Sequence, residues 1–288
     1  MSTVTLDLAD AELLAKKILV RHGTSEANAE CVARALVAAE ADGQKGHGLS
    51  RLPSYAAQAA SGKVNGHALP TLERGAGAAL RIDAKNGFAF PALAMAVDRL
   101  SSLAAETGIA AAGVHRSHHF GQAGYHVERL AARGLIGLVF GNSPKAIAPW
   151  GGSEGVFGTN PIAFAAPRRT GPALVIDLSL SKVARGKIMV AAKQGEPIPE
   201  GWALDSEGNP TTDAQAAMQG TMLPMGDAKG AALVLMVEIL AAALTGARFG
   251  FEASSFFTAE GDPPAVGQFL VAIDPRVFSG DAFAERLE

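Results

Sequence analysis

Apolar positions recur with helical spacing through the first sixty residues. Asp10 is positioned to cap a helix that runs through Val20 and stops at Gly23. Ser25 caps a second one reaching Ala41, with Cys31, Leu36, Val37 and Ala41 on one face. A third spans about Ser54–Ala60 and ends at Gly62. From Ala79 the period changes. ALRIDA alternates as a strand does, and Pro91 then opens a helix through Ala105 that stops at Gly108. IAAAGVH, LIGLVFG, PIAFAAP, ALVIDLS and QFLVAID read as further strands, with a helix over about Gln122–Ala132 closed by Gly134. Gln194–Leu223, punctuated by Pro197, Pro199, Gly201 and Pro210, reads as a long structured loop over one face. The apolar run Gly230–Gly246 is shorter than the ~20 residues that span a bilayer and carries Glu238 at its middle. It is expected to be a buried core helix, with a partner for Glu238 inside the fold or at a subunit contact.

Strands interleaved with helices define an α/β (α+β) protein. The expected organisation is a helical N-terminal region over 1–70, a central α/β region over 71–180 and a mixed segment over 181–288, with soft and discontinuous boundaries. With 288 residues the chain can bury about three quarters of its unfolded surface, so neither disulfide nor metal is needed for stability. A net charge of −3 leaves no electrostatic footprint for nucleic acid or an anionic membrane. The single Cys31 excludes an internal disulfide and suits a reducing cytoplasm, and Met1–Leu14 holds Asp7, Asp10 and Glu12 where an export signal would be basic and apolar.

The common chemical signatures are missing: there is no GxGxxG, Walker loop, CxxC or HExxH, and Gly75-Ala76-Gly77 lacks a third glycine. Three clusters remain. In Gly46-His47-Gly48-Leu49-Ser50-Arg51, flanking glycines open the imidazole to a ligand and Arg51 follows one helical turn later. Such a pair suits a small carboxylate, the guanidinium holding the anion while the imidazole exchanges a proton; a loop histidine beside a surface arginine is the plain alternative. His115-Arg116-Ser117-His118-His119-Phe120-Gly121 lies where a strand passes into a helix, a place where unpaired N–H groups meet ligands. Adjacent His118 and His119 diverge if extended and make a poor metal pair, so no metal is expected even with His126 nearby. Gly141–Lys145, Pro149–Gly152, Gly158–Pro161 and Asp177–Ser181, with Lys182, Arg185, Lys187 and Lys229, form either a phosphate cradle or ordinary turns and a solvated edge.

Taken in order, these pieces resemble the malate/L-lactate dehydrogenase superfamily of the non-Rossmann type. That group includes ureidoglycolate dehydrogenase, 2,3-diketogulonate reductase, sulfolactate dehydrogenase and Δ1-piperideine-2-carboxylate reductase. The matching stretches are HGLSR at 47–51, SHHFG at 117–121, NSPKAIAPWGG at 142–152, GTNPIAFAAP at 158–167, VIDLSLS at 175–181, PTTD at 210–213 and LPMGDAKG at 223–230. The resemblance implies that family's α/β fold and a homodimer with its site between domains. It also implies interconversion of a small 2-oxo acid and 2-hydroxy acid with NADPH or NADH, with a lean to NADPH because Lys182, Arg185 and Lys187 are available for an extra phosphate. By position, His47 matches the proton donor and Arg51 the carboxylate ligand, while His119 matches the acid/base group of some members. His118, His119, Phe120, Gly121, Thr159, Asp177, Leu178, Ser179 and Lys229 match cofactor-contacting positions.

Two departures accompany the match. Members with a Ser-His-Asp relay, the cyclic-imine reductases among them, carry serine and aspartate where this chain has Gly46 and Lys187. Family chains also continue past the last strand into a helical tail that reaches the cofactor, whereas this one stops at Glu288, soon after Asp274-Pro275. The tail is thus expected to be replaced or the cofactor held less tightly. The alternatives are a reductase of a cyclic 2-imino acid and, in another class, a homologue that binds a metabolite without turnover.

Overall fold

The computed structural model describes residues 5–288. Helix α1 (Leu8–Arg21) is capped by Asp7, whose carboxylate accepts from the Asp10 N–H at 2.8 Å. The cap expected at Asp10 thus lies three residues earlier, and Asp10 sits within the first turn, where its charge suits the positive helix end. Ser25 caps α2 (Glu26–Ala41) as anticipated, and α3 (Leu52–Ser61) ends at Gly62. The three helices enclose a core of Leu19, Val32, Leu36, Tyr55, Phe88 and Phe90.

A hairpin follows, β1 (Thr71–Ala76) antiparallel to β2 (Ala79–Asp83). The apolar pattern did not reveal β1 because it is an edge strand, exposed along most of its length, and TLERGA needs no apolar face. Helix α4 (Ala89–Thr107), β3 (Ile109–Ser117), α5 (Ala123–Ala131), β4 (Ile136–Gly141), β5 (Ile162–Ala166) and β6 (Leu174–Leu178) come next, close to where periodicity puts them.

Helix α6 (Arg185–Gln194) leads into the stretch expected as a long structured loop, which instead contains short strands and a helix. Strands β7 (Ala203–Leu204), β8 (Pro210–Thr211) and β9 (Thr221–Met222) form a small antiparallel sheet, and α7 (Ala214–Gln219) is capped by Asp213. Two-residue strands are too short to alternate, so only their pairing across the fold reveals them. This unit closes over Ile147, Leu180, Ile188, Met222, Val234 and Val237.

Helix α8 (Asp227–Glu238) passes into a π turn over Ile239–Ala243. Glu238 finds its partners inside the fold: its carboxylate accepts from Asn160 Nδ2 at 2.7 Å, the Gly250 N–H at 2.7 Å and Asn142 Nδ2 at 3.2 Å. The helix is not buried all round as expected, since Leu235, Met236 and Ile239 are 41–49% exposed along one side. Among the described residues no helix is long and apolar enough to cross a membrane.

Strand β10 (Val266–Ile273) then enters the middle of a seven-stranded mixed sheet of order β1-β2-β3-β10-β4-β5-β6. It runs antiparallel to both β3 and β4, whereas β2 and β3 are parallel. Helices α4 and α5 cover one face through Leu93, Val97, Leu100, Val127 and Leu130. The π turn covers the other so closely that a Cβ on Gly267 would lie 2.0 Å from the Ala241 carbonyl oxygen, which is why β10 carries glycine there. After β10 the chain forms α9 (Pro275–Ser279) and α10 (Ala282–Leu287), and Glu288 pairs with Arg168 at 2.8 Å.

Candidate active site

His47 and Arg51 come together because a tight turn and a short 3₁₀ segment (Leu49–Arg51) join α2 to α3. Arg51 Nε donates to the Gly46 carbonyl at 2.7 Å, which bends the guanidinium back over the turn. The two glycines flanking His47 do different work. A Cβ on Gly46 would meet nothing, whereas on Gly48 it would fall 2.3 Å from the Glu40 carboxylate. Gly48 is therefore required by packing against α2, where Glu40 also accepts from the Leu49 N–H at 3.0 Å, and only Gly46 leaves open space. The Arg51 guanidinium carbon lies 4.5 Å over the Phe257 ring, and its buried Nη1 has no hydrogen-bond partner among the described residues.

His118 and His119 leave the end of β3 and pack against α3. Their rings, expected to diverge, share neighbours: Phe256 lies 5.2 Å from each, and Tyr55 is 5.8 and 6.0 Å away. The Tyr55 hydroxyl meets His119 Nδ1 at 2.5 Å, and His118 Nε2 donates to Gln58 Oε1 at 2.8 Å. His119 stacks on His47, with centroids 5.5 Å apart and planes 16° from parallel. His126 stands apart, donating through Nε2 to the Phe120 carbonyl at 2.8 Å.

The loop bearing Phe256 and Phe257 is tied to α3. Gln58 Nε2 donates to the Phe256 carbonyl at 2.8 Å, and Ser61 Oγ to that of Ala259 at 2.9 Å. Lys63 Nζ donates to the carbonyls of Ser255 (2.8 Å), Thr258 (3.0 Å) and Glu260 (2.8 Å).

Burial sets the protonation of this cluster. It pushes His47 down to about 4, with the Arg51 charge adding to the effect, and His118 down to about 3, with Lys63 and Arg51 adding. His119 falls well below its ordinary value through burial and the charges of Arg51, His47 and His118. The Tyr55 hydroxyl, wholly buried, is driven up and stays protonated. At neutral pH the cluster is thus three neutral imidazoles beside one guanidinium.

The other expected contact positions are dispersed. Phe120, buried in the sheet core, and Gly121 form the turn into α5. Asp177 accepts from the Gly124 N–H at 2.7 Å, so its carboxylate braces the first turn of α5. The Thr159 N–H donates to Ser143 Oγ at 3.0 Å. Exposed Leu178 and Ser179 end β6, and Lys229 is exposed in the first turn of α8. Backbone bonds hold these last segments together: Leu180 N–H to the Thr159 carbonyl (2.8 Å) and Met225 N–H to the Leu180 carbonyl (2.9 Å).

Residues 6–288 match the malate/L-lactate dehydrogenase family. The chain belongs to that family. It is 57% identical over 283 residues to (2R)-3-sulfolactate dehydrogenase (NADP(+)) of Chromohalobacter salexigens, covering 98% of this chain and 84% of the relative. It is 41% identical over 290 residues to the Δ1-pyrroline-2-carboxylate/Δ1-piperideine-2-carboxylate reductase of Pseudomonas putida, covering 99% and 84%. Among solved structures, the Δ1-piperideine-2-carboxylate reductase from Pseudomonas syringae superposes with a TM-score of 0.94 at 41% identity, covering 99% of this chain and 86% of that one. The sulfolactate dehydrogenase of Methanocaldococcus jannaschii gives 0.91 at 31% identity, covering 98% and 82%.

In this malate/L-lactate dehydrogenase fold, the region around Ser179 and Lys229 meets the chemical needs of a nicotinamide nucleotide. Neither α6 nor α8 has a side-chain cap, although the Lys187 N–H in the first turn of α6 donates to the Ala184 carbonyl at 2.9 Å. Arg185 opens α6 half-buried with no ion pair among the described residues, and Lys182 lies 3.7 Å from Asp227 at the start of α8. Uncapped helix ends beside lysine and arginine fit phosphates.

Sequence reasoning missed Tyr55, Gln58, Lys63, Phe256 and Phe257. Tyr55 lies one turn beyond Arg51 on α3 and could have been read from helical spacing. The aromatic pair reaches the α3 side of the site across about two hundred residues and leaves no local signal.

Proposed function

We propose that this chain is an oxidoreductase interconverting a small 2-hydroxy acid and its 2-oxo acid with NADP(H), and that 3-sulfolactate and sulfopyruvate are the pair it takes. The observation that carries this reading is the buried, unpartnered Nη1 of Arg51 next to the stacked imidazoles of His47 and His119. Similarity to the Chromohalobacter sulfolactate dehydrogenase (NADP(+)) supports the substrate and the cofactor.

Arg51 holds the substrate carboxylate through Nη1 while Gly46 and Phe257 keep the guanidinium in place. When bound, the nicotinamide supplies or accepts the hydride at the substrate carbon that carries the oxygen. His47 exchanges the proton of that oxygen, and His119, stacked on His47, faces the same oxygen. The bound carboxylate also changes their titration. It cancels the Arg51 charge that helps hold both histidines low, so substrate raises their basicity as it arrives. In the direction of oxidation the neutral imidazole is the form that accepts the proton. Lys229, Ser179 and Thr159, with Lys182 and Arg185, hold the nucleotide, and the turn His118–Gly121 offers it backbone contacts.

In the same reading the enzyme is a cytoplasmic homodimer. Leu174, Ile176 and Leu178 on the edge strand β6, Leu235 and Met236 on α8 and Ile239 in the π turn are 41–49% exposed and would be covered by a second copy. Cys31 needs a reducing compartment only in the sense that it has no partner.

Similarity to the piperideine-2-carboxylate reductases favours a second reading, reduction of a cyclic 2-imino acid. Gly46 and Lys187 oppose it, since they cannot supply the hydroxyl and carboxylate of a relay. Spectrophotometric assay of (2R)-3-sulfolactate, malate and lactate with NADP+ and NAD+, and of Δ1-piperideine-2-carboxylate with NADPH, separates the two. Turnover of sulfolactate with preference for NADP+ is expected. Turnover of the imine alone would move the assignment to the second reading, and nucleotide binding without any turnover would make the chain a non-catalytic homologue.

A further inference from the structure

Tyr55 is buried to 0% exposure, and among the described residues its hydroxyl has a single hydrogen-bond partner, His119 Nδ1. Phe88 and Phe90 flank its ring at 5.5 and 6.2 Å. Two arrangements of the shared proton are conceivable. If Nδ1 carried hydrogen and donated to the tyrosine oxygen, the hydroxyl proton would point into an apolar cluster with nothing to accept it. If the hydroxyl donates to a bare Nδ1, both groups are satisfied. Burial also keeps the phenol protonated, in keeping with a donor.

We propose that Tyr55 is a positioning residue that locks His119 in its Nε2–H tautomer, so that Nε2 presents a hydrogen-bond donor to the substrate oxygen, Nδ1 is closed to the reaction, and the proton itself is exchanged with His47. The catalytic part rests on the function proposed above; the tautomer does not. His118 is locked in the same sense by a different device. Gln58 Nε2 is engaged with the Phe256 carbonyl, which turns Oε1 toward His118 and makes His118 Nε2 the donor. That proton is spent on Gln58, and the remaining Nδ1 is buried without a partner. Of the adjacent histidines only His119, which retains 8% exposure and has no hydrogen bond at Nε2 among the described residues, has a ring N–H left for a ligand. Neighbouring charge reinforces the neutral state. Arg51 from the head of α3 and the imidazoles of His47 and His118 all face His119, and Lys63 lies near His118.

The lock is tested on protein labelled with ¹⁵N-histidine, without substrate or nucleotide, by long-range ¹H–¹⁵N spectra with His119→Asn used for assignment. The expected result is a His119 with a non-protonated Nδ1 and a protonated Nε2. In Tyr55→Phe, which keeps the ring and removes only the donor, a substantial Nδ1–H population should appear. In kinetics, the same variant should lose on the order of 10- to 100-fold in kcat for hydroxy-acid oxidation, with KM changed by less than about threefold. A wild-type His119 found as Nδ1–H overturns the proposal, and so does a Tyr55→Phe enzyme with unchanged tautomer and unchanged kcat. Because the spectrum of the wild-type protein needs no turnover, a protein inactive on every hydroxy acid would sink the proposed function and leave the tautomer to be judged separately. Should Tyr55→Phe not fold, the wild-type spectrum still decides.

Discussion

The guanidinium carbon of Arg51 lies over the ring of Phe257, 4.5 Å from its centroid, although one residue precedes α3 and the other belongs to the loop before β10. The contact fixes a cation whose Nη1 has no other partner. In the proposed function it therefore connects substrate binding to a loop far away in the chain.

Removing either member should be read in KM. Arg51→Ala deletes a charge-assisted contact of about 2–3 kcal/mol, or roughly 30- to 150-fold in KM for the hydroxy acid. Phe257→Ala removes only the stacking, about 0.5–1 kcal/mol at an exposed site and a change of about two- to fivefold. Steady-state kinetics check both, and an unchanged KM in Arg51→Ala would remove Arg51 from the substrate site.

Lys63 acts on the same loop through its three carbonyl acceptors. Lys63→Met should free residues 255–260, raise their amide hydrogen exchange, and cost about 1.5–3 kcal/mol of stability. Activity should fall as Phe256 and Phe257 lose their fixed places against the histidines and Arg51. Lys63→Arg, which keeps charge and donors, should restore part of both. Exchange in the loop identical to that of the parent protein would show that the clamp is dispensable.

Acid should destabilise the fold through its buried histidines. His118 is held near about 3 and His47 and His126 near about 4, each below the ordinary 6.5. Between those values and 6.5 the unfolded chain binds protons that the folded one refuses, so stability falls as pH drops through that window and is unaffected above it. Each unit of difference is worth about 1.4 kcal/mol per group. Urea midpoints should therefore decline between about pH 7 and about pH 5. His126→Phe, which removes one of these groups from a site lined by Phe90, Phe120 and Tyr125, should show a shallower decline. A midpoint independent of pH over that range would contradict the buried neutral state.

Local pattern determined a good deal of this protein. Ser25 and Gly62 mark helix boundaries because capping and termination need only neighbours, and the alternation of ALRIDA and QFLVAID marks strands because one face of each meets a core. HGLSR and SHHFG, read in order with the later motifs, were enough to name the family and to offer His47, Arg51 and His119 as candidates, which the structure brings near one another. Tertiary structure decided the rest. Strand β10 lies between β3 and β4, and periodicity says nothing of which strand pairs with which. The edge strand β1 and the two-residue strands of the small sheet bury too little to leave an apolar signature. The low basicity of the histidines, the single acceptor open to Tyr55, and the approach of Phe256 and Phe257 exist only once distant segments exclude water from one another. Burial and hydrogen-bond direction are properties of the assembled neighbourhood, and no residue carries them alone.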